Sequence, residues 1–208
     1  MNGNKEMKKT PLHIILLTTV IIVCACSHKM NYDEFNEYIA NQDNGLMIVK
    51  IINGVKYKLT YRPAELLIYQ HIRGYDSIDD GEISNLKEQY NQYHHMVLSV
   101  SYGGREALKG VGNFQQFSSL MQDMAFGMDK YVVLTAGNRD TLQLVDFHFS
   151  RYFGMGKSND IILVFSKEKE PVQSLTFHLD EFGLRTGDTR FRFEKNNLKK
   201  INTIKLKY

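Results

Sequence analysis

Residues 45–62, GLMIVKIINGVKYKLTYR, decide how the rest of the chain is read. Two β-like runs meet at Asn53-Gly54, a dipeptide that tolerates the left-handed backbone of a two-residue hairpin turn. Beyond the turn Val55, Tyr57, Leu59 and Tyr61 alternate with Lys56, Lys58, Thr60 and Arg62. That period of two sends one set of side chains to a core and the other to water. The stretch reads as an antiparallel hairpin with one buried face.

On the N-terminal side, Tyr32, Phe35 and Ile39 recur at helical spacing, with Asn31 placed to cap and Asp33 and Glu34 in the first turn, so 32–40 reads as a helix. On the C-terminal side, Pro63 opens a second helix whose Ala64, Leu67, Ile68, His71 and Ile72 share a face. After the acidic GYDSIDDGE, the residues Ile83, Leu86, Tyr90 and Tyr93 mark a third helix. Phe114, Phe117, Leu120, Met121 and Met124 mark a fourth. Between these, Met96, Leu98, Val100 and Tyr102 alternate as a strand. From Lys130 onward strands are expected at 130–135, 141–153, 160–166, 173–180, 188–194 and 201–207, with a bulge where the apolar parity slips between Leu144 and Val145. Connections as short as AGNRD and EKEP favour antiparallel neighbours, since a parallel crossover needs a dozen residues or more. The expected fold is α+β: one domain over 32–208, mainly an antiparallel meandering sheet with about four helices on one face.

The first 27 residues have a different character. Lys5, Lys8 and Lys9 precede PLHIILLTTVIIVCA, an apolar run of 14 residues from Leu12 to Ala25, whereas a helix that spans a bilayer takes about 20. Met7 also begins a good signal start, MKKTPLHII. The run ends in VCAC, which resembles the lipobox of bacterial lipoproteins, with the aliphatic Val23, a tolerated Cys24, the small Ala25 and Cys26 as the lipid acceptor. The resemblance covers residues 1–27 and says nothing of the remainder. It implies that residues 1–25 are cleaved, that the Cys26 thiol carries diacylglycerol and its freed amine an acyl chain such as palmitate, and that 26–31 are a short tether. Several acyl chains hold a protein on a membrane durably, which one chain does not. Ser27 after the lipidated cysteine, in place of an aspartate, resembles the default for outer-membrane sorting in some bacteria, so the expected address is the outer membrane of the cell envelope.

Composition narrows the function classes. Removing Lys5, Lys8, Lys9 and Glu6 from the 26 basic and 23 acidic residues leaves 23 and 22, too balanced for a nucleic-acid surface. The 183 residues left after the cut are enough for one domain with a real core. Cys24 and Cys26 are the only cysteines. With the first discarded and the second lipidated, no thiol is left for disulfides, redox chemistry or nucleophilic catalysis.

Several motifs resemble catalytic or metal sites and fail on inspection. Gly156-Lys157-Ser158 has the tail of a phosphate-binding P-loop, but Arg151 stands where its first glycine belongs and the strand-like DIILVFS follows where a helix should. The acidic loop mimics a calcium site with Asp76 first, yet Ile78 and Lys87 occupy its third and twelfth places, so a solvated loop capping the next helix is expected. Asp146 with His148, and His178 with Asp180, have spacing a metal could use, but Ser174, Thr176, His178 and Asp180 are the ordinary wet side of a strand. His94 and His95 point to opposite faces of a strand. No HExxH or G-x-S-x-G occurs. No metal or cofactor is expected, and carboxylate pairs for glycoside hydrolysis would meet only in three dimensions.

One asymmetry remains. Residues 185–207 are strongly basic, with Arg190 and Arg192 alternating with Phe191 and Phe193, and Lys205 and Lys207 with Ile204 and Leu206. Such residues solvate terminal strands and discourage edge pairing. They also form a candidate contact surface for anionic headgroups or an acidic partner. The expected function is a non-enzymatic, membrane-anchored envelope lipoprotein that binds another envelope protein as an accessory part of an assembly. The alternative is a lipoprotein that binds a small molecule or glycan, or hydrolyses such material, although the chain has no tryptophan to stack a sugar.

Overall fold

Where the hairpin was expected, Asn53 and Gly54 take φ of 50° and 80°, and Met47–Ile52 (β2) pairs antiparallel with Val55–Arg62 (β3). Val55, Tyr57, Leu59 and Tyr61 are buried, as the alternation requires. The computed structural model describes residues 29–75, 78–137, 140–151, 155–201 and 204–206, with the side chains of 205 and 206 excepted. The signal segment, Cys26 and Lys207 lie outside the described residues.

Before the hairpin, Lys29–Met30 (β1) leads into Tyr32–Ala40 (α1). Asn31 caps α1: its side chain accepts from Glu34 N at 2.9 Å, while the Glu34 carboxylate accepts from Asn31 N at 2.8 Å. Pro63 ends β3 and caps Ala64–Ile72 (α2), and Asp79 caps Asp80–Asn91 (α3) through Glu82 N. Tyr93, expected on that helix, instead opens Tyr93–Tyr102 (β4). Arg105–Glu106 (β5) is a short return, and Phe114–Gln122 (α4) runs on into a single π turn, Asp123–Gly127. Leu120 and Met124 are buried, but Phe114 is 82% exposed, because the first residue of α4 projects past the core.

The α+β class is as expected, and all but the two terminal strands pair antiparallel and divide between two sheets. The larger has the order β2-β3-β4-β9-β8, with β5 against β4, where β8 is Leu144–Ser150 and β9 is Asn159–Ser166. The smaller has Thr189–Glu194 (β11) at one edge, then Ser174–Leu179 (β10), Val132–Ala136 (β6) and Asp140–Leu142 (β7). The single strand expected over 141–153 is thus two. The chain leaves the smaller sheet at Leu142 and enters the larger at Leu144. Gln143 bridges them: its N–H donates to Ser166 Oγ at 3.0 Å and its carbonyl accepts from Ser166 N at 2.8 Å. The expected bulge is present between Leu144 and Asp146.

The sheets pack face to face over one core, with Phe165 of β9 edge-on to Phe177 of β10 at 6.1 Å. α1 contributes Phe35 and Ile39 to this core, α4 contributes Leu120, and the π turn after it contributes Met124. α2 and α3 close a smaller cluster around Ile68, Ile72 and Leu86. The last expected strand, 201–207, begins too early: Ile201 is the end of a helix. Lys195–Ile201 (α5) follows β11 directly, and only Lys205–Leu206 (β12) is extended, pairing in parallel with β1. The part of the tether at Lys29 and Met30 therefore belongs to the fold. Among the described residues no helix is long and apolar enough to cross a membrane.

Candidate functional site

Tyr61 is the last inward residue of β3 before Pro63 turns the chain away. β4 runs antiparallel to β3 with Tyr61 opposite Met96, so His94, two residues earlier on the same inward parity, is its diagonal neighbour. β9 flanks β4 on the other side with Ser166 opposite Tyr93, and Lys167 N prolongs that ladder by donating to Gln92 O at 3.1 Å. Glu168 then leaves the sheet beside His94. Three segments far apart in sequence meet at one point: the Tyr61 hydroxyl lies 3.1 Å from His94 Nδ1, and Glu168 Oε2 lies 2.5 Å from His94 Nε2.

A carboxylate only accepts, so His94 Nε2 donates to Glu168, and Nδ1 is left to the Tyr61 hydroxyl. Burial alone works to raise the Glu168 carboxyl, but the hydrogen bond and field of His94 outweigh it and hold the carboxyl below its ordinary value. Burial, reinforced by the charges of Glu168 and Glu65, pushes the Tyr61 phenol far above its ordinary value, which keeps it a donor. The His94 side chain is only 3% exposed and that of Glu168 18%, so the pair is largely withdrawn from solvent rather than a surface bridge.

This network floors a cleft of about 270 Å³. Lys167, Lys169, Lys195 and Lys199 rim it against Glu168 and Glu170, and Pro63, Ala64, Tyr93 and Leu198 give it an apolar wall. Ser174 also lines the cleft, but both His94 nitrogens are committed, so no imidazole lone pair is left to activate its hydroxyl. The arrangement can bind an anion with an apolar portion.

The residues singled out from the sequence lie elsewhere. Arg190 and Arg192 share the outer face of β11, an edge strand. Arg192 Nε meets Glu194 Oε1 at 2.6 Å with both side chains more than half exposed, and Arg190 stands opposite His178. Burial holds the His178 ring below its ordinary value and Arg190 adds to this. Lys205 belongs to the two-stranded β1-β12 sheet, not to the sheet of β11. His148 is on β8 and His178 on β10, in different sheets, and His178 Nε2 lies 3.2 Å from Thr135 Oγ1. Among the described residues no group of three or more His, Cys, Asp or Glu side chains gathers as a metal site requires. In the glycine-lysine-serine turn, Gly156 N donates to the buried Glu106 carboxylate at 2.9 Å and β9 starts at Asn159, so the segment is a strand connection. His94 and His95 do face opposite ways, but the role of the inward one was missed. Its parity with Met96, Leu98 and Val100 was the available signal, since a histidine on a core face must find partners.

No family model matches the chain, and no curated protein matches it. Among solved structures, it is similar to a novel protein of unknown function from Burkholderia pseudomallei K96243. The identity is 11%, over 85% of this chain and 96% of that one, with a TM-score of 0.39. It is also similar to a structure described as a "putative lipoprotein" from Staphylococcus aureus subsp. aureus NCTC 8325. There the identity is 8%, over 77% of this chain and 97% of that one, with a TM-score of 0.30.

Proposed function

We propose that this chain is a lipid-anchored protein of the bacterial cell envelope, held at the outer membrane through Cys26, whose single domain works by binding rather than by catalysis. The observation that carries this is where the fold begins. Lys29 is already paired in β1, three residues after the cysteine of VCAC, so cleavage before Cys26 would remove none of the described fold. The committed nitrogens of His94 favour binding over chemistry. The partner is another envelope protein, met through the basic residues Arg190, Arg192, Lys205 and Lys207. Arg190 and Arg192 are on β11 and Lys205 is on β12, in a different sheet, so the contact involves more than one patch.

The anchor is tested by growing cells with a radioactive fatty acid. The wild-type chain takes the label and partitions into detergent, and Cys26→Ala abolishes both, since no other thiol sits at a usable lipobox. Label on the Cys26→Ala chain sinks the proposal. The second reading, a small-molecule-binding lipoprotein, is favoured by one observation, the cationic cleft above His94.

A further inference from the structure

We propose that the cleft above His94 takes the phosphate of an anionic phospholipid headgroup from the membrane that carries the anchor, an inference that rests on the Cys26 anchor proposed above. Two independent observations lead to it: what lines the cleft, and where the cleft sits.

Its lining carries four lysines against two glutamates. Glu168 is already met by His94 Nε2–H, which leaves Glu170 as the one lining carboxylate without that neutralisation. Among the described residues Lys169, Lys195 and Lys199 enter no ion pair, and Lys167 donates to the Asn91 carbonyl at 3.2 Å while keeping its charge. Ammonium groups that converge on one opening are point-charge donors suited to phosphate oxygens. The apolar wall suits the glycerol carbons beside that phosphate. A volume of about 270 Å³ is below the range of drug-sized pockets, which admits a headgroup and leaves acyl chains in the bilayer.

The cleft also lies at the anchored end of the domain. Cys26 is three residues from Lys29, a reach of about 10 Å when fully extended. Lys29 pairs with Lys205, and β12 is held close to the end of α5, where Ile204 N donates to Ile201 O at 3.1 Å. Lys199 is in the last turn of α5, and α2, whose first residues wall the cleft, lies against β12. A chain lipidated at Cys26 therefore holds the cleft rim near the headgroup layer, where lysines meet a high concentration of lipid phosphate.

The test uses the lipidated mature protein purified from envelopes and placed in zwitterionic phosphatidylcholine nanodiscs. Calorimetric titration with glycerophosphoglycerol, the soluble headgroup of phosphatidylglycerol, should show saturable binding, and glycerophosphocholine should show none. Lys195→Gln/Lys199→Gln should weaken the binding at least tenfold. Lys56→Gln/Lys58→Gln, which removes the same charge from the outward side of β3, should leave it unchanged. Lys169→Gln/Lys199→Gln, two exposed lysines, repeats the test if the half-buried Lys195 proves necessary for folding. Adding phosphatidylglycerol to the disc should weaken the soluble headgroup's apparent affinity at least tenfold, because the membrane's own headgroups fill the cleft. Equal loss in the cleft and control variants, equal binding of the two headgroups, inorganic phosphate binding as tightly as glycerophosphoglycerol, or indifference to lipid in the disc would each overturn the proposal. Mass spectrometry of the same preparation separates the two claims. Acylated Cys26 without headgroup binding overturns the cleft alone, and binding by an unacylated chain overturns the anchor alone.

Discussion

Glu181 gathers five backbone N–H groups of one loop: Oε1 accepts from Gly183, Leu184 and Arg185 at 2.8, 2.6 and 2.8 Å, and Oε2 from Thr186 and Gly187 at 2.6 and 2.7 Å. Burial works to raise this carboxyl, but the backbone donors outweigh it and hold it below the ordinary glutamate value of 4.5. A carboxyl lowered in the folded state contributes stability that is fully present above 4.5 and is lost as pH falls below it. Hydrogen bonds to a charged group contribute about 1.5–3 kcal/mol, so Glu181→Gln should lower Tm by roughly 5–10 °C at pH 7. It should also flatten the loss of Tm on acidification, and an unchanged acid slope by calorimetry would exclude this role. Tyrosines give the opposite sign. Burial pushes Tyr57 up to about 12 despite its 2.7 Å hydrogen bond to Thr186, and Tyr61 higher still. Groups raised in the folded state stabilise below their ordinary value of 10 and lose that stability as pH rises beyond it. In an ultraviolet titration of the folded protein, Tyr57→Phe and Tyr61→Phe should each remove one late phenolate step.

At the scale of elements, the β2-β3 turn is the most exacting. Gly54 has φ +80°, and a Cβ there would lie 2.9 Å from the Tyr102 ring. The left-handed backbone costs a side-chain-bearing residue about 1–2 kcal/mol. Gly54→Ala should therefore lower Tm by roughly 3–6 °C, while Lys56→Gln next to it, an exposed outward residue, should change it little. A thermal scan in which both variants match the wild type would mean that the turn is not held as described. Elements also show where alternation misleads. Leu142 and Leu144 keep one parity across Gln143, so nothing local marks the change of sheet. At the C-terminus the alternation from Ile204 to Leu206 drew the strand back to 201, although Leu198 and Ile201 are spaced three apart, as helices require. Lys195 N donates to Gln173 O, which carries the ladder one residue past β11 before α5 turns away.

At the scale of the whole molecule, stability comes from packing between two sheets, with Tyr57, Phe165, Phe177, Phe191 and Phe193 among the largest fully buried side chains. No cysteine follows Cys26. The mature chain should unfold in one cooperative transition whose midpoint is the same with and without reductant, and a midpoint that moved by more than about 2 °C would contradict a core held by packing alone. The α+β class, the hairpin, the helices at 32–40 and 64–72 and the bulge near Leu144 were legible in the sequence because each follows from local preference and period. Those are properties of neighbouring residues, and the chain carries them whatever else it meets. The cleft was not legible. Tyr61, His94 and Glu168 lie 33 and 74 residues apart and are joined only by the register of β3, β4 and β9. The sequence by itself determined which side chains must be buried and where the chain must turn. Only the tertiary structure decided how the strands divide between two sheets and what meets His94, because pairing between distant strands is set by packing of the whole core.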